Sequence, residues 1–134
     1  MGALADAALG CGGAVTGVIP RALADREIAH RGLTQLIEVD SMHERKAEMA
    51  RRADAFLVLP GGLGTLDEMC EILTWGLLGI HEKPIVLINI AGYWDPFLGM
   101  LDAAVAAGFL RSAHRALSLV ARDAHAACDA VARI

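Results

Sequence analysis

Short apolar runs alternate with polar or amphipathic stretches along the chain, and the alternation predicts strand and helix in turn. Residues 3 to 10 read as a first helix, ended by Gly10, Gly12 and Gly13. Ala14 to Ile19 is a short strand stopped by Pro20, and residues 21 to 33 are polar and mixed, a loop with a helical turn. Leu33 to Val39 forms a second strand, closed by Asp40 and Ser41. Ser41 followed three residues later by Glu44 predicts a capping box and a helix to about Arg52. Ala53 to Leu59 is a nearly continuous apolar run, expected to be a central strand buried on both faces. A helix from Leu66 to Leu78 ends at Gly79, and Ile85 to Ile90 is another fully buried strand. Pro96, early in a helix over residues 96 to 107, stands where proline is favoured. Leu117 to Ala121 is the last strand, and Asp123 opens a terminal helix to about Arg133.

This order of elements predicts an α/β fold with a mostly parallel sheet and helices on both faces. The 134 residues are expected to form one domain, residues 1–134, without repeats or linkers. In such sheets, ligands sit beyond the carboxyl ends of the strands. Three segments are expected there: Pro20 to Glu27, Asp40 to Arg45, and Pro60 to Glu68.

Composition narrows the function. A net charge of −4 argues against general nucleic-acid binding, so an anionic ligand would need a local device to hold it. No apolar run approaches the about 18 residues of a membrane span, and no basic leader precedes one, which points to a cytoplasmic protein without membrane contact. Cys11, Cys70 and Cys128 are widely spaced and odd in number, and are expected to be buried thiols in a reducing compartment. The five histidines show no ligand spacing, so no metal is expected.

The local device is Pro60-Gly61-Gly62-Leu63-Gly64-Thr65-Leu66-Asp67-Glu68. A strand, a glycine turn and a helix start in that order make an anion cradle, because the first helical N–H groups are unpaired and glycines admit a close ligand. No lysine follows the glycines, and Asp67 stands where a dinucleotide fingerprint needs a third glycine. With Thr65 as N-cap, the helix would carry Asp67 and Glu68 in its first turn, Glu68 at the third position of a capping box. From spacing alone, Glu68 serves either the cap or catalysis. On the helix after Ser41, Arg45 and Lys46 share a face with Met42 and Met49. That face should be buried, so Arg45 is expected to meet a carboxylate or a phosphate, or to form a salt bridge with Glu68 or Glu27. Arg51 and Arg52 lie elsewhere on the helix, in solvent. By themselves Glu27 reads as a surface acid and Thr74 as a packing residue.

Together with Met42, His43, Glu44, Arg45, Lys46 and Met49, the glycine stretch resembles the patterns PGGxGTxxE and MHxRKxxM of the LOG (Lonely Guy) family. The likeness continues through Gly17 to Pro20, Arg26 to Ile28, Thr74 with Trp75, and Gly79 to His81, and covers essentially the whole chain. It implies a Rossmann-like, doubly wound fold and cleavage of the N-glycosidic bond of a nucleoside 5′-monophosphate, such as AMP or cytokinin riboside 5′-monophosphate. Arg45 and Glu68 match the catalytic pair. Gly61, Gly62, Gly64 and Thr65 match the phosphate loop, with Leu63, Leu66 and Asp67 in the same binding segment. Lys46, Glu27 and Thr74 match further substrate-contacting positions, and a homodimer or larger homo-oligomer is implied. No cofactor is expected: the family is often labelled lysine decarboxylase-like, yet neither Lys46 nor Lys83 has the context of a pyridoxal phosphate Schiff base. Members usually carry an upstream strand–helix–strand, and Met1-Gly2 resembles the end of the turn that follows it, so an N-terminally shortened form is expected. The alternative is a non-catalytic nucleotide- or phosphate-binding relative.

Overall fold

The structure, a computed structural model, describes residues 1–24, 30 and 32–133. It contains two compact units, Met1–Arg52 and Ala53–Ile134. The chain has the expected Rossmann-like α/β character, and among the described residues the strand pairings are all parallel.

In the first unit, α1 (Gly2–Gly10) leads to β1 (Thr16–Pro20), α2 (Arg21–Ala24), β2 (Gln35–Val39) and α3 (Met42–Arg52). β1 and β2 pair from Thr16 opposite Gln35 to Pro20 opposite Val39. Pro20 closes β1 from within rather than standing after it, which its missing N–H allows at a strand end. α3 begins where the capping pattern places it. The Glu44 N–H donates to Ser41 Oγ at 3.1 Å, as a capping box requires. The Glu44 carboxylate reaches one residue further back than expected, accepting from the Asp40 N–H at 2.8 Å.

Glu48 organises the exposed side of α3. Its carboxylate accepts two bonds from Arg51, at 2.9 and 2.8 Å, and one from Arg52. The two arginines are therefore on the surface, as their positions suggested, but tied to a shared carboxylate rather than solvated singly. Hydrogen bonding from Arg51, then from Arg52, pulls the Glu48 carboxyl down from 4.5 to about 2. A lowered carboxyl stabilises the folded state above its unfolded value, and that contribution disappears as pH falls through the folded one. Stability should therefore decline between pH 4.5 and about 2 more steeply in the wild type than in Glu48→Gln. Urea unfolding followed by circular dichroism across this range checks it, and identical slopes would contradict it.

The second unit runs β3 (Phe56–Val58), α4 (Leu63–Leu77), β4 (Ile85–Ile88), a 3₁₀ turn at Ile90–Gly92, α5 (Asp95–Ala106), α6 (Ser112–Arg115), β5 (Ser118–Ala121) and α7 (Ala124–Ala132). The strand order is β3-β4-β5. The centre of this sheet is β4, whose four residues are all buried, and not the run Ala53 to Leu59. β3 is short and borders its sheet, with Leu57 44% exposed. A continuous apolar run fits a covered strand in either position, so only the pairing decides between them. The core around β4 joins Val86 and Ile88 to Ala121 of β5 and Ala127 of α7. α7 starts at Asp123 as expected, with its carboxylate accepting from the Ala126 N–H at 2.8 Å.

α4 ends in a Schellman motif. Gly79 adopts φ +72, its N–H bonds the Gly76 carbonyl, and the Ile80 N–H bonds that of Trp75. His81 then joins this end to β4: Nε2 lies 3.0 Å from the Ile72 carbonyl, and Nδ1 accepts from the Lys83 N–H at 3.1 Å. No helix among the described residues is long and apolar enough to cross a membrane.

Candidate functional site

The glycine stretch lies between β3 and α4, at the carboxyl end of β3. Its helix begins a turn earlier than the Thr65 cap predicts. Gly62 is the N-cap, with φ −89 and ψ −152, and Leu63, Gly64 and Thr65 form the first turn. The first helical bond runs from the Leu66 N–H to the Gly62 carbonyl at 3.0 Å. Asp67 and Glu68 therefore stand in the second turn, and Glu68 is not the third residue of a capping box. The structural explanation of Glu68 as a capping partner of Thr65 falls with that register.

The three glycines differ in what they do. A Cβ on Gly61 would meet the Thr65 hydroxyl and lie 2.8 Å from Thr65 Cβ. Thr65 thus folds back over Gly61, and this glycine is required by the turn itself. At Gly62 and Gly64, a Cβ would meet no atom of the described residues within 4 Å. Packing among the described residues does not demand glycine there, and both sit where a helix presents N–H groups without intrahelical partners. Leu63, between them, is 85% exposed. This arrangement can hold a tetrahedral anion against main-chain donors.

Glu68 is half-buried, next to the buried Met69 and one turn before the buried Ile72. Those core contacts hold the helix that carries it. Asp67 and Thr74 are exposed, and Leu66 is half-buried. The Thr74 hydroxyl donates to the Cys70 carbonyl one turn back at 2.7 Å. Cys70 is exposed as a residue, like Cys11 and Cys128, so the expected buried thiols are instead at the surface. Cys11 caps the end of α1, Cys70 lies in α4 and Cys128 in α7, and a small thiol in such places gives no sequence signal that separates surface from core. Desolvation of its sulfur raises the Cys70 thiol above its ordinary value, and the Asp67 carboxylate adds to the effect. Cys70 should accordingly alkylate with iodoacetamide more slowly than free cysteine, with Asp67→Asn restoring only part of the rate because desolvation remains. Peptide mass spectrometry over time measures this, and alkylation at the free-cysteine rate would contradict it.

In the first unit, Arg45 and Lys46 are both half-buried on α3. The face they occupy is less covered than its methionines suggest. Met42 is 41% and Met49 36% exposed, and the buried residue of the helix is Ala50. The small alanine allows close approach to the sheet, and the long basic side chains cover apolar surface with their stems. Arg45 Nε donates to the Val18 carbonyl at 3.1 Å. The Gln35 N–H bonds the Val15 carbonyl, and alternation along a parallel pair then turns the Val18 carbonyl away from β2. Arg45 therefore meets a main-chain acceptor on the side of β1 away from β2, a partner that spacing could not reveal, and this bond helps to set the plane of its guanidinium. At the carboxyl end of the same sheet, Arg21 lies 3.5 Å from Asp40. Glu27 falls outside the described residues.

Tyr93 was missed by sequence reasoning. Its hydroxyl donates to the Gly61 carbonyl at 2.6 Å from a position 32 residues further along. Lys83, by contrast, precedes β4, at the opposite end of the sheet from the glycine turn. It does not fit a Schiff-base cofactor whose phosphate would lie in that turn. Among the described residues, no group of three or more His, Cys, Asp or Glu is arranged to hold a metal.

A glycine turn and helix start at the carboxyl edge of a parallel sheet define a Rossmann-like α/β protein. The chain belongs to the LOG family: the family model described as "Possible lysine decarboxylase" matches residues 1–131. A relative from Oryza sativa subsp. japonica, described as a probable cytokinin riboside 5′-monophosphate phosphoribohydrolase, is 52% identical over 124 residues, covering 92% of this chain and 55% of its own. A cytokinin riboside 5′-monophosphate phosphoribohydrolase from Rhodococcoides fascians is 48% identical over 132 residues, 98% of this chain and 67% of its own. One from Arabidopsis thaliana is 46% identical over 124 residues, 92% and 58% respectively. The chain thus spans little more than half the length of most curated relatives it matches.

Proposed function

We propose that the protein is a phosphoribohydrolase that cleaves nucleoside 5′-monophosphates, such as AMP or cytokinin riboside 5′-monophosphate, to free base and ribose 5-phosphate. The observation that carries this is the open space at Gly62 and Gly64, beside unpaired helical N–H groups, in a chain whose relatives are described as acting on such nucleotides. The 5′-phosphate is held by the amides of Gly61, Gly62, Leu63, Gly64 and Thr65, in a segment completed by Leu66 and Asp67. Glu27, Lys46 and Thr74 contact the rest of the substrate, as the family likeness implies, and residues 1–134 act as one nucleotide-binding domain.

Water replaces the base at C1′: the C1′–N bond breaks, its electron pair leaves with the base, and the sugar passes through a positively charged state. A fixed carboxylate at Glu68 stabilises that charge or takes the proton of the attacking water. Arg45, its guanidinium set by the Val18 carbonyl, supplies positive charge for the phosphate or orients the catalytic carboxylate. Lysine decarboxylation is the less favoured chemistry, because Lys83 is remote from the anion loop and Lys46 belongs to the substrate-contacting motif. The family likeness adds a homodimer or larger assembly, open to light scattering, and we take its location to be cytoplasmic, open to cell fractionation.

Comparing AMP with adenosine tests the proposal. Base should be released from AMP and, under the same conditions, far more slowly from adenosine. Equal rates from the two would remove the phosphate loop from the account.

A further inference from the structure

We infer that Tyr93 is a positioning residue of the phosphate loop. Its hydroxyl locks the Gly61–Gly62 peptide so that the Gly62 N–H joins the donors facing the 5′-phosphate. This rests on the nucleotide assignment above and adds a residue from a separate loop to that site.

The topology brings the two loops together. β3 and β4 pair in parallel, with Phe56 opposite Ile85 and Val58 opposite Leu87, so their carboxyl-end connections lie side by side. The connection after β4 is rigid. Asn89 gives its N–H to the Ala121 carbonyl at 2.7 Å and its amide nitrogen to Asp95 Oδ1 at 2.7 Å. The same side chain accepts from the Trp94 N–H at 2.7 Å. Ala91 takes the left-handed conformation with φ 51, unusual for a residue with a Cβ. Gly92 follows at φ 74, where a Cβ would stand 2.6 Å from Asp95 Oδ2. Trp94 is 2% exposed and meets the Tyr93 ring edge to face, with centroids 5.0 Å apart. Every group that sets the direction of Tyr93 is thus fixed by its own neighbours, while Tyr93 itself is half exposed.

The hydroxyl ends on the most adjustable part of the cradle. Two successive glycines give the Gly61–Gly62 peptide more rotational freedom than any other residue pair would. A trans peptide holds its C=O and N–H in one plane on opposite sides. Anchoring the Gly61 carbonyl on Tyr93 therefore aims the Gly62 N–H the other way, beside those of Leu63, Gly64 and Thr65. Donation to the carbonyl also polarises the peptide and strengthens its N–H as a donor. The loop is ordered before the phosphate arrives.

Tyr93→Phe removes the hydroxyl and keeps the ring on Trp94. We expect KM for AMP to rise about five- to thirtyfold with kcat within about twofold, the signature of lost binding common to ground and transition states. The affinity for ribose 5-phosphate, measured by calorimetry, should fall by the same factor, and the melting temperature should be unchanged. An unchanged KM and unchanged ribose 5-phosphate affinity would overturn the role while leaving the enzymatic assignment standing. So would a variant with lowered melting temperature and kcat but the wild-type KM, which marks a purely structural residue. If the wild type binds ribose 5-phosphate but releases no base, the calorimetric comparison decides the role of Tyr93 alone. If it binds no ribose 5-phosphate, both the phosphate loop and the role of Tyr93 are overturned.

Discussion

Glu68→Gln is expected to lower the release of adenine from AMP by about a hundredfold or more, with the fold intact. The side chain sits in the second turn of α4, beside the buried Met69 and before the buried Ile72, so the helix is anchored in the core just beyond it. Glutamine has the same shape and keeps the packing, but it cannot accept a proton from water or carry the charge that opposes a cationic sugar. Because the helix is capped by Gly62, three residues upstream of Thr65, the substitution removes no capping-box partner. A melting temperature equal to the wild type, with base release measured chromatographically, separates chemistry from stability. A folded variant releasing base at the wild-type rate would refute the assignment of Glu68.

Gly64→Ala is expected to weaken AMP binding by about tenfold or more while leaving the melting temperature equal or higher. A Cβ there meets no atom of the described residues within 4 Å, and alanine is favoured over glycine in a helix by up to about 1 kcal/mol. Stability alone therefore argues for alanine at this position. If the glycine serves close approach of a phosphate, the added methyl group occupies space the ligand needs. Gly61→Ala is the contrasting case, because its methyl would collide with Thr65 and should lower the melting temperature as well. Wild-type affinity in Gly64→Ala, measured by calorimetry, would show that the loop does not approach its ligand through this residue.

Local chemistry made much of this legible. Ser41, Gly79 and Asp123 end or begin helices by bonds within a few residues, and each behaves as its pattern predicts. The glycine stretch was legible as a turn leading into a helix for the same reason. Thr65 misled because, with Glu68 three residues later, it completes a capping-box pattern, yet Gly62 caps about as well, and Leu63 and Gly64 then wind into the first turn. The methionine face of α3 misled because helical spacing gives the face but not how far the sheet covers it, and both methionines stay exposed. Centrality in a sheet is likewise a property of pairing, so β3 and β4 looked alike until their partners were known. Tyr93 and the Val18 acceptor of Arg45 were invisible for a simpler reason. Their bonds span 32 and 27 residues, and one partner in each is a main-chain carbonyl with no sequence signature.

The most direct test of the central claim is product analysis after incubating the protein with AMP. The account predicts free adenine and ribose 5-phosphate in equal amounts. AMP recovered intact under conditions where calorimetry shows it bound would contradict that, and would make the chain a nucleotide-binding protein without turnover.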